Sequence, residues 1–369
     1  MNKIGRAAVF LAPGKPFEIR EYKVPDPQPG AMVIKIGIAN ICGSDLHAWH
    51  GRFQLSTLGG KMPTVLGHEM TGSVVALGPG LTKDSDGRPL REGDRVVFTY
   101  FTSCGHCPGC LRGLRVTCTE ATMAMTELAD AWPHFVGGFG DYYYVNPGAA
   151  VYCVPNGLPD EVVAGANCGL SQVIYGFKRA NLQFDETVVI QGAGGLGLYA
   201  TTVAKSFGAR MVIVIDGVEK RLEIARRFGA DATINISMLT DPAARVKQVK
   251  ALTDGRGADV VIELVGSADV MPEGIRMLAQ MGRYITIGNI NGGQTYQADP
   301  SRLVLSNKRV EGVSLYEPHI LSIALKFLNA MRNRLPLDEM NATKFPLSDI
   351  NTAFRKADRR EVVRASVAP

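Results

Sequence analysis

The feature that most restricts the fold of this chain is a glycine-rich hexapeptide, GAGGLG, at residues 192–197. It follows an apolar run at residues 187–191 and precedes a segment with helical character at residues 198–207. Asp216 ends the next apolar run, 19 residues after Gly197. The hexapeptide alone is a weak signal, but strand, glycine turn, helix and acid in this order are the fingerprint of a dinucleotide-binding unit. The sequence therefore predicts an α/β domain with a doubly wound parallel sheet.

Each position of the hexapeptide has an expected role. Gly192 permits a tight turn, Gly194 lets the backbone approach a pyrophosphate, and Gly197 allows close packing of helix on strand. Gly195 and Leu196 begin the helix, whose unpaired N–H groups attract phosphate. We expect these five residues to bind the coenzyme.

Asp216 bears on which coenzyme is bound. A carboxylate at this position binds ribose hydroxyls and repels a 2′-phosphate, so NAD is favoured over NADP. Lys220 and Arg221 follow closely, and nearby cations can accommodate a 2′-phosphate. A purely structural glycine turn with a solvated aspartate is the alternative interpretation.

Four of the seven cysteines lie close together, as Cys104-x2-Cys107-x2-Cys110-x7-Cys118. Four thiolates at short spacings are typical of a closed, tetrahedral, structural zinc site. An iron–sulfur cluster is the main alternative, although the bacterial ferredoxin run has three residues before its fourth cysteine. Two disulfides are the other alternative, and these are rare in reducing compartments. A structural zinc ion is the favoured interpretation.

Composition narrows the class of protein. A length of 369 residues predicts two domains. The net charge is only +5, and the sequence lacks the basic block or aromatic stripe typical of nucleic-acid binding. A nucleic-acid partner is therefore not expected. The N-terminus lacks the apolar region of a signal peptide, and no apolar run approaches bilayer-spanning length. We expect a cytoplasmic protein with no membrane partner.

The pattern of predicted secondary structure changes after residue 155. Before it, short strands alternate with Gly/Pro turns, as at residues 31–40, 73–78, 94–100 and 141–147, which predicts an antiparallel barrel or sandwich. After it, a helix is predicted over residues 161–182, and strands and helices then alternate. Residues 319–332 and a segment from 346 onward predict two further helices.

The remaining cysteines, Cys42, Cys153 and Cys168, include two in distinctive contexts. Cys42 begins the run CGSDLH, His68 lies in GHE, and Cys168 lies in GANCG. With the four-cysteine run and GAGGLG in this order, the chain resembles the zinc-dependent alcohol dehydrogenases of the medium-chain dehydrogenase/reductase superfamily. The resemblance covers essentially the whole sequence.

The resemblance implies a second, catalytic zinc ion with an open fourth position. Cys42, His68 and Cys168 match its ligands, and Glu69 matches a carboxylate that can replace water on the metal. Asp45 matches an acid that orients the zinc-binding histidine. Many polyol and threonine dehydrogenases of the superfamily have glutamate where this chain has Cys168. Taken separately, His68 or Cys168 would usually be core residues.

The resemblance also implies a reaction and a route for the proton. Zinc acts as a Lewis acid on the alcohol oxygen, and a hydride passes to the nicotinamide. The proton leaves through Ser44, a ribose hydroxyl and His47. Arg364 matches an arginine that pairs with the pyrophosphate, and Arg221 a basic residue near the adenosine ribose. Gly43 stands where some relatives have a phosphate-binding arginine.

The resemblance further implies domain boundaries and assembly. We expect a GroES-like, mostly β catalytic domain at residues 1–169, with the zinc lobe near 100–120. A Rossmann domain is expected at 170–311, and residues 312–369 return to the first domain. A strand at 309–315 would pair with its copy in a homodimer, and the lobe often supports homotetramers.

The substrate is predicted less directly. Aromatic and methionine side chains lie on segments that line the family's substrate cleft, namely Trp49, Phe53, Met123, Met125, Trp132, Phe135 and Phe139. Apolar walls favour a hydrophobic secondary, cyclic or aromatic alcohol, unless these residues pack the loop itself. A polyol or amino-alcohol dehydrogenase is one alternative, and a non-catalytic NAD-binding protein is another.

Overall fold

The secondary structure is described from a computed structural model, which covers residues 3–53, 55–337, 343–362 and 364–369. The strands are β1 (Ile4–Phe10), β2 (Glu18–Lys23), β3 (Met32–Asn40), β4 (Thr64–Val65), β5 (Glu69–Leu77), β6 (Arg95–Phe98), β7 (Phe101–Thr102), β8 (Thr122–Met123), β9 (Tyr142–Val145), β10 (Val151–Cys153), β11 (Thr187–Gln191), β12 (Met211–Asp216), β13 (Ala232–Asn235), β14 (Ala258–Glu263), β15 (Leu278–Thr286), β16 (Arg309–Gly312), β17 (Thr343–Pro346) and β18 (Ala365–Ala368). The α-helices are α1 (Gly43–Trp49), α2 (Pro108–Leu111), α3 (Asp160–Val163), α4 (Ser171–Ala180), α5 (Gly195–Ser206), α6 (Glu219–Arg227), α7 (Pro242–Leu252), α8 (Met271–Met277), α9 (Pro300–Val304), α10 (Ile320–Met331) and α11 (Ile350–Asp358).

The chain divides into two compact units. The first comprises Met1–Ser171 together with Tyr316–Pro369, and the second comprises Gln172–Leu315. The C-terminal segment joins the first unit through its strands, because β18 pairs with both β3 and β17.

The first unit is mostly β-structure. Its main sheet has the order β10-β6-β5-β3-β18-β17, with β9 also paired to β3, and a three-stranded sheet has the order β2-β1-β4. Apolar residues of β3 are buried on both faces, which explains the long apolar run in its sequence. The short pair β7-β8 frames the segment that contains the four clustered cysteines.

The second unit is a six-stranded, fully parallel sheet in the order β13-β12-β11-β14-β15-β16. Order and direction are those of a doubly wound sheet, whose topological switch point lies between β11 and β14. All five residues of β11 are buried, as expected for a central parallel strand. The predicted fold class, a mostly β domain with a doubly wound α/β domain, is confirmed.

The single helix predicted over residues 161–182 is wrong. The structure has α3, then a turn of π-helix at Ala166–Leu170, and then α4. The wider turn accompanies side-chain hydrogen bonds that compete with the regular helical ladder, such as Ser171 Oγ to Ala166 O at 2.6 Å. Such π-helical turns are frequent at functional sites, and Cys168 lies in this one.

The polar loop at residues 81–91 folds tightly onto the first unit. Asp84 Oδ1 accepts hydrogen bonds from the N–H groups of Asp86 and Arg88, and Asp84 Oδ2 accepts one from Cys153 N. Ser322 on α10 donates to Asp86 at 2.7 Å. The loop is thus held by defined contacts.

None of the described helices combines the length and the apolar character that crossing a bilayer requires.

Candidate metal centres and coenzyme site

Four potential metal ligands meet inside the first unit. Cys42 directly precedes α1, His68 and Glu69 stand at the start of β5, and Cys168 lies in the π-helical turn. One ligand atom from each residue lies within 4.8 Å of the other three. His68, Glu69 and Cys168 are buried, whereas Cys42 is partly buried. Two sulfurs, an imidazole and a carboxylate form a donor set that fits zinc.

Asp45 ties this cluster together from inside α1. Its Oδ2 accepts a hydrogen bond from Cys42 N at 2.9 Å, which completes a capping box at the helix start. Its Oδ1 accepts from Gly67 N at 3.3 Å and lies 3.5 Å from His68 Nδ1. A carboxylate on the far nitrogen of an imidazole fixes the ring for metal binding through the other nitrogen.

Two polar side chains of α1 lie near the same cluster. Ser44 Oγ is 3.3 Å from His68 Nε2, and His47 is half-buried one helical turn further along. Burial and the positive charge of Arg52 lower the pKa of His47 below its usual 6.5, although Cys42 opposes this. His47 is therefore neutral at physiological pH and able to accept a proton.

Glu69 forms a buried ion pair with Arg364, whose guanidinium bonds Glu69 Oε2. Asn40 Nδ2 also lies 3.4 Å from that oxygen. Burial lowers the pKa of Arg364 to about 10, and the charge of Cys42 acts in the other direction. Within the described part of the chain, Glu69 Oε1 has no hydrogen-bond partner, so one oxygen remains available to a cation.

The electrostatics of the three ligands also suit a cation. A hydrogen bond from Cys168 lowers the pKa of Cys42 despite burial, whereas the same bond together with burial raises the pKa of Cys168. Burial opposes protonation of His68, but Asp45 and Cys42 outweigh it and raise the pKa of His68 to about 10. The raised pKa values of His68 and Cys168 favour protonated forms whose protons a divalent metal would displace, whereas the lowered pKa of Cys42 already favours the thiolate that a metal needs.

Tyr100 is a neighbour that the sequence did not reveal. Its ring centroid lies 4.9 Å from that of His68, at an interplanar angle of 57°. Cys168 and Tyr100 also interact electrostatically, and burial raises the pKa of the phenol. Tyr100 follows β6 in a segment without a recognisable motif, so only the folded chain identifies it.

The four clustered cysteines form a second ligand set. Ligand atoms of Cys104, Cys107, Cys110 and Cys118 lie within 4.8 Å of one another, and all four thiols are free. Cys104 Sγ is 3.6 Å from Cys118 Sγ and 4.0 Å from Cys110 Sγ. Thiolates at 2.3 Å from one tetrahedral ion stand about 3.8 Å apart. This spacing matches a single ion and excludes disulfides in the structure.

Backbone N–H groups support these thiols. Cys107 N donates to Cys104 Sγ, and Cys104 N donates to Cys118 Sγ, both at 3.3 Å. Hydrogen bonds from the backbone of Cys110 and Thr119 lower the pKa of Cys107 to about 6. His106 and Glu120 lie beside this lobe as an exposed pair.

The glycine turn of the second unit joins β11 to α5. Gly192 has a φ of +100°, which favours glycine. A Cβ on Gly197 would stand 1.9 Å from Gly192 O, whereas a Cβ on Gly194 would meet nothing within 4 Å. Gly195 and Leu196 form the first turn of α5. The turn thus combines one tightly packed glycine with one that leaves open space at the helix start.

Asp216 ends β12 beside this turn. Its Oδ2 accepts a hydrogen bond from Ala193 N at 2.7 Å, and its Oδ1 accepts from Val218 N at 2.9 Å. Arg221 lies further along, in the first turns of α6. The carboxylate is therefore fixed next to the glycine turn, while Arg221 lies at the start of a helix on the same side.

The apolar side chains predicted to line a substrate cleft differ in how far they are buried. Met125, Phe135 and Phe139 belong to the core of the first unit, with exposed fractions of 8%, 1% and 0%. Trp132 is 51% exposed and packs against Tyr144. Phe139 packs against Phe354 and Phe135 against Tyr22, so these core residues give no information about a substrate.

Two segments of the chain match known protein families. Residues 28–156 match the family of alcohol dehydrogenase GroES-like domains, and residues 195–330 match the family of zinc-binding dehydrogenases.

Similar proteins match over nearly the whole length. The 5-exo-hydroxycamphor dehydrogenase of Pseudomonas putida is 30% identical over 95% of this chain and 94% of its own length. The erythritol/L-threitol dehydrogenase of Mycolicibacterium smegmatis is 29% identical over 96% of this chain and 94% of its own. An alcohol dehydrogenase structure from Thermotoga maritima is 28% identical with a TM-score of 0.92, covering 100% of both chains.

Proposed function

This chain belongs to the zinc-binding alcohol dehydrogenase family, and on that premise we propose that it transfers a hydride between NAD(H) and an alcohol/carbonyl pair at a zinc ion held by Cys42, His68 and Cys168. The observation that supports this proposal most strongly is the meeting of these three ligands with Glu69 inside the first unit. Bound zinc supplies a Lewis acid that polarises the alcohol oxygen.

The residues around the ligands have distinct tasks in this proposal. Asp45 holds the imidazole of His68 in a fixed orientation. Glu69 offers one oxygen to the cation, while Arg364 balances its charge from the other side. A further role of Arg364 towards the coenzyme pyrophosphate, as the family implies, stays a prediction.

Ser44 and His47 are proposed to move the proton that the alcohol loses. Ser44 lies beside the imidazole of His68, and the neutral His47 on the same helix is a base of suitable strength. The ribose hydroxyl of the coenzyme would connect them.

The second metal set is proposed to hold a structural zinc ion, which gives two zinc ions per chain. Four thiols with no open position suit folding rather than catalysis. The short 3.6 Å and 4.0 Å sulfur separations support one ion, because the thiolates of an iron–sulfur cluster bind different iron atoms.

Asp216 is proposed to select NAD over NADP, since its fixed carboxylate would repel a 2′-phosphate. The Asp216→Ser variant should lose roughly tenfold or more in NAD affinity, the scale of a charged hydrogen bond, and much less in NADP affinity. Isothermal titration with both coenzymes measures this. Asp216→Asn is the matched variant, which keeps an acceptor oxygen without the charge. An unchanged NAD/NADP ratio in both variants would contradict the assignment.

The substrate is proposed to be a hydrophobic secondary, cyclic or aromatic alcohol. Cys168 supports this choice, because many polyol and threonine dehydrogenases have glutamate there, and one relative is named for a hydroxylated camphor. A polyol is the second candidate, since another relative of similar identity is named for erythritol and threitol.

The test is turnover and metal content of the purified protein. NADH absorbance with panels of cyclic, aromatic and polyol alcohols, together with zinc analysis, should show activity and two zinc ions per chain. Highest efficiency with a polyol would favour the second candidate. NAD binding without turnover on any panel, in protein loaded with zinc, would indicate a non-catalytic NAD-binding protein instead.

A further inference from the structure

Glu263 is a fully buried carboxylate at the carboxyl end of the parallel strands, where a dinucleotide would bind. It ends β14, it pairs in register with Gln191 of β11, and its exposed fraction is 0%. Gln191 directly precedes the glycine turn. Glu263 therefore stands at the switch point of the sheet, on the side of the strands' carboxyl ends.

Within the described ranges, the groups that bind this carboxylate are all neutral. Oε1 accepts hydrogen bonds from Val265 N and Gly266 N, both at 2.7 Å. Oε2 accepts from Thr286 Oγ1 at 2.8 Å and Asn289 Nδ2 at 2.9 Å. Among the residues that the structure describes, Glu263 has no ion-pair partner. Four donors satisfy a carboxylate, but they do not neutralise its charge.

The segments around Glu263 pack too closely to admit larger residues. A Cβ on Gly288 would lie 2.8 Å from Glu263 Oε1 and 2.6 Å from Gly266 N. A Cβ on Gly192 would approach Leu264 and Val265 to 3.3 and 3.2 Å. The carboxylate is thus held close to Gly288, and the residues that follow it pack against Gly192.

A buried charge without a counterion is costly, so it points to a cation that arrives later. A doubly wound sheet consists of two halves, and each half binds one half of a dinucleotide. Asp216, the expected ligand of the adenosine ribose, lies in the half formed by β11, β12 and β13. The nicotinamide half of the coenzyme is therefore left to the half of the sheet that begins with β14. The nicotinamide ring is positively charged when oxidised and neutral when reduced.

We propose that the buried charge of Glu263 shifts the affinity of this site towards the oxidised, cationic nicotinamide and away from the reduced, neutral one, relative to an uncharged residue at the same position. This inference rests on the proposed function, because it takes NAD(H) as the dinucleotide. Its consequence is a bound coenzyme that is harder to reduce than one beside a neutral residue.

The test compares three ligands on the zinc-loaded protein and its variants, namely NAD+, NADH and ADP-ribose, which lacks the nicotinamide. The Glu263→Gln variant removes the charge and keeps the shape, and Asn289 can rotate its amide to accept from the new NH2 group. The ratio of the NAD+ to the NADH dissociation constant should rise by at least about fivefold, the scale of a partly screened interaction between unit charges. ADP-ribose affinity should stay within about twofold.

Three further variants separate charge from shape. Thr286→Val removes one hydrogen bond but keeps the charge, and the exposed Glu223→Gln changes the net charge elsewhere; both should leave the ratio unchanged. Glu263→Asp keeps the charge with a shorter side chain, so its ratio should stay near that of the unsubstituted protein, and this holds as a test even if Glu263→Gln fails to fold.

Two results would overturn the inference in favour of a purely structural role. One is an equal loss of affinity for all three ligands in Glu263→Gln. The other is an NAD+/NADH ratio in Glu263→Asp as high as that expected for Glu263→Gln. Failure of the unsubstituted protein to bind NAD+ and NADH would instead refute the proposed function.

Discussion

Asp45 connects three parts of the candidate zinc site through one carboxylate. It caps α1 at Cys42, fixes the turn before His68 through Gly67 N, and faces His68 Nδ1. The same side chain therefore sets where a sulfur ligand and an imidazole ligand stand. Capping is a local effect within α1, whereas the approach to His68 depends on how α1 meets the Gly67–His68 turn, 22 residues or more away in the sequence.

The first prediction at this scale concerns Cys42. Cys42→Ser should lower kcat by at least about 100-fold, more than the loss typical for an outer-shell partner of a metal, because a direct ligand is lost. Affinity for NADH, measured by fluorescence, should stay within about twofold. Cys153→Ser is the matched control, since Cys153 lies outside both ligand sets. Unchanged turnover in the Cys42 variant would refute the assigned ligand.

The second prediction concerns the pH dependence of alcohol oxidation. The pKa of His47 is lowered by burial and by Arg52, so the neutral, proton-accepting form prevails above about pH 6.5. The kcat/KM of oxidation should fall only as the pH drops below that value. Arg52→Gln removes the repulsion, so the pKa of His47 should rise and the falling limb should move to higher pH.

The control for this profile is His47→Gln, which should lower the rate and remove the limb. A limb that stays in place in both variants would assign the titration to another group.

At the scale of elements, the glycine turn serves both the packing of a helix and the expected binding of a coenzyme. Gly197 permits α5 to pack against the turn, and Gly194 leaves space at the N-terminus of the helix. The π-helical turn plays a comparable part for Cys168, because it interrupts the helix that the sequence pattern predicted. The two turns differ in how they could be foreseen: the glycines are visible in the sequence, and the π-turn is not.

The third prediction separates the two glycines. Gly197→Ala places a methyl group 1.9 Å from a carbonyl oxygen, so it should destabilise the protein by about 1–3 kcal/mol or more and weaken coenzyme binding. In Gly194→Ala, apart from neighbours along the chain, no described residue lies within 4 Å of the new methyl group, so the melting temperature should stay within about 2 °C. NADH affinity should nevertheless fall if phosphate approaches the backbone there. Thermal unfolding and NADH titration measure both; equal stability losses would contradict the distinction.

At the scale of the whole molecule, the candidate metal ligands and the candidate coenzyme residues lie in different units. All candidate metal ligands lie in the first unit, and the glycine turn, Asp216 and Glu263 lie in the second. Among the described strands, β16 is the last of the parallel sheet and pairs only with β15, so its outer side is an open strand edge. Met281, Val304 and Leu305 precede this strand in sequence and are 70–78% exposed. Unpaired strand edges beside apolar side chains are suited to self-association.

The fourth prediction is therefore a homodimer or a larger assembly formed through this edge. Light scattering on the purified protein should give at least twice the chain mass of 39.7 kDa. Leu305→Asp should shift the population towards the monomer, whereas Phe184→Asp, a change at an equally exposed apolar residue away from β16, should not. A monomer at all concentrations would exclude the assembly.

The sequence alone determined the parts of this protein that depend on a few neighbouring residues. Glycines that need a special backbone, an acid after the next strand, and four cysteines at short spacing act through local geometry, so their pattern predicted the fold class and two of the sites. Only the tertiary structure decided which distant residues meet. The resemblance to a known family implied that Cys42, His68 and Cys168 meet, but their own sequence contexts do not bring them together: they converge because segments far apart in the chain pack together. Likewise, Arg364 pairs with Glu69, and Phe135 and Phe139 are buried in the core. These outcomes depend on packing between segments remote in sequence, which no local pattern encodes.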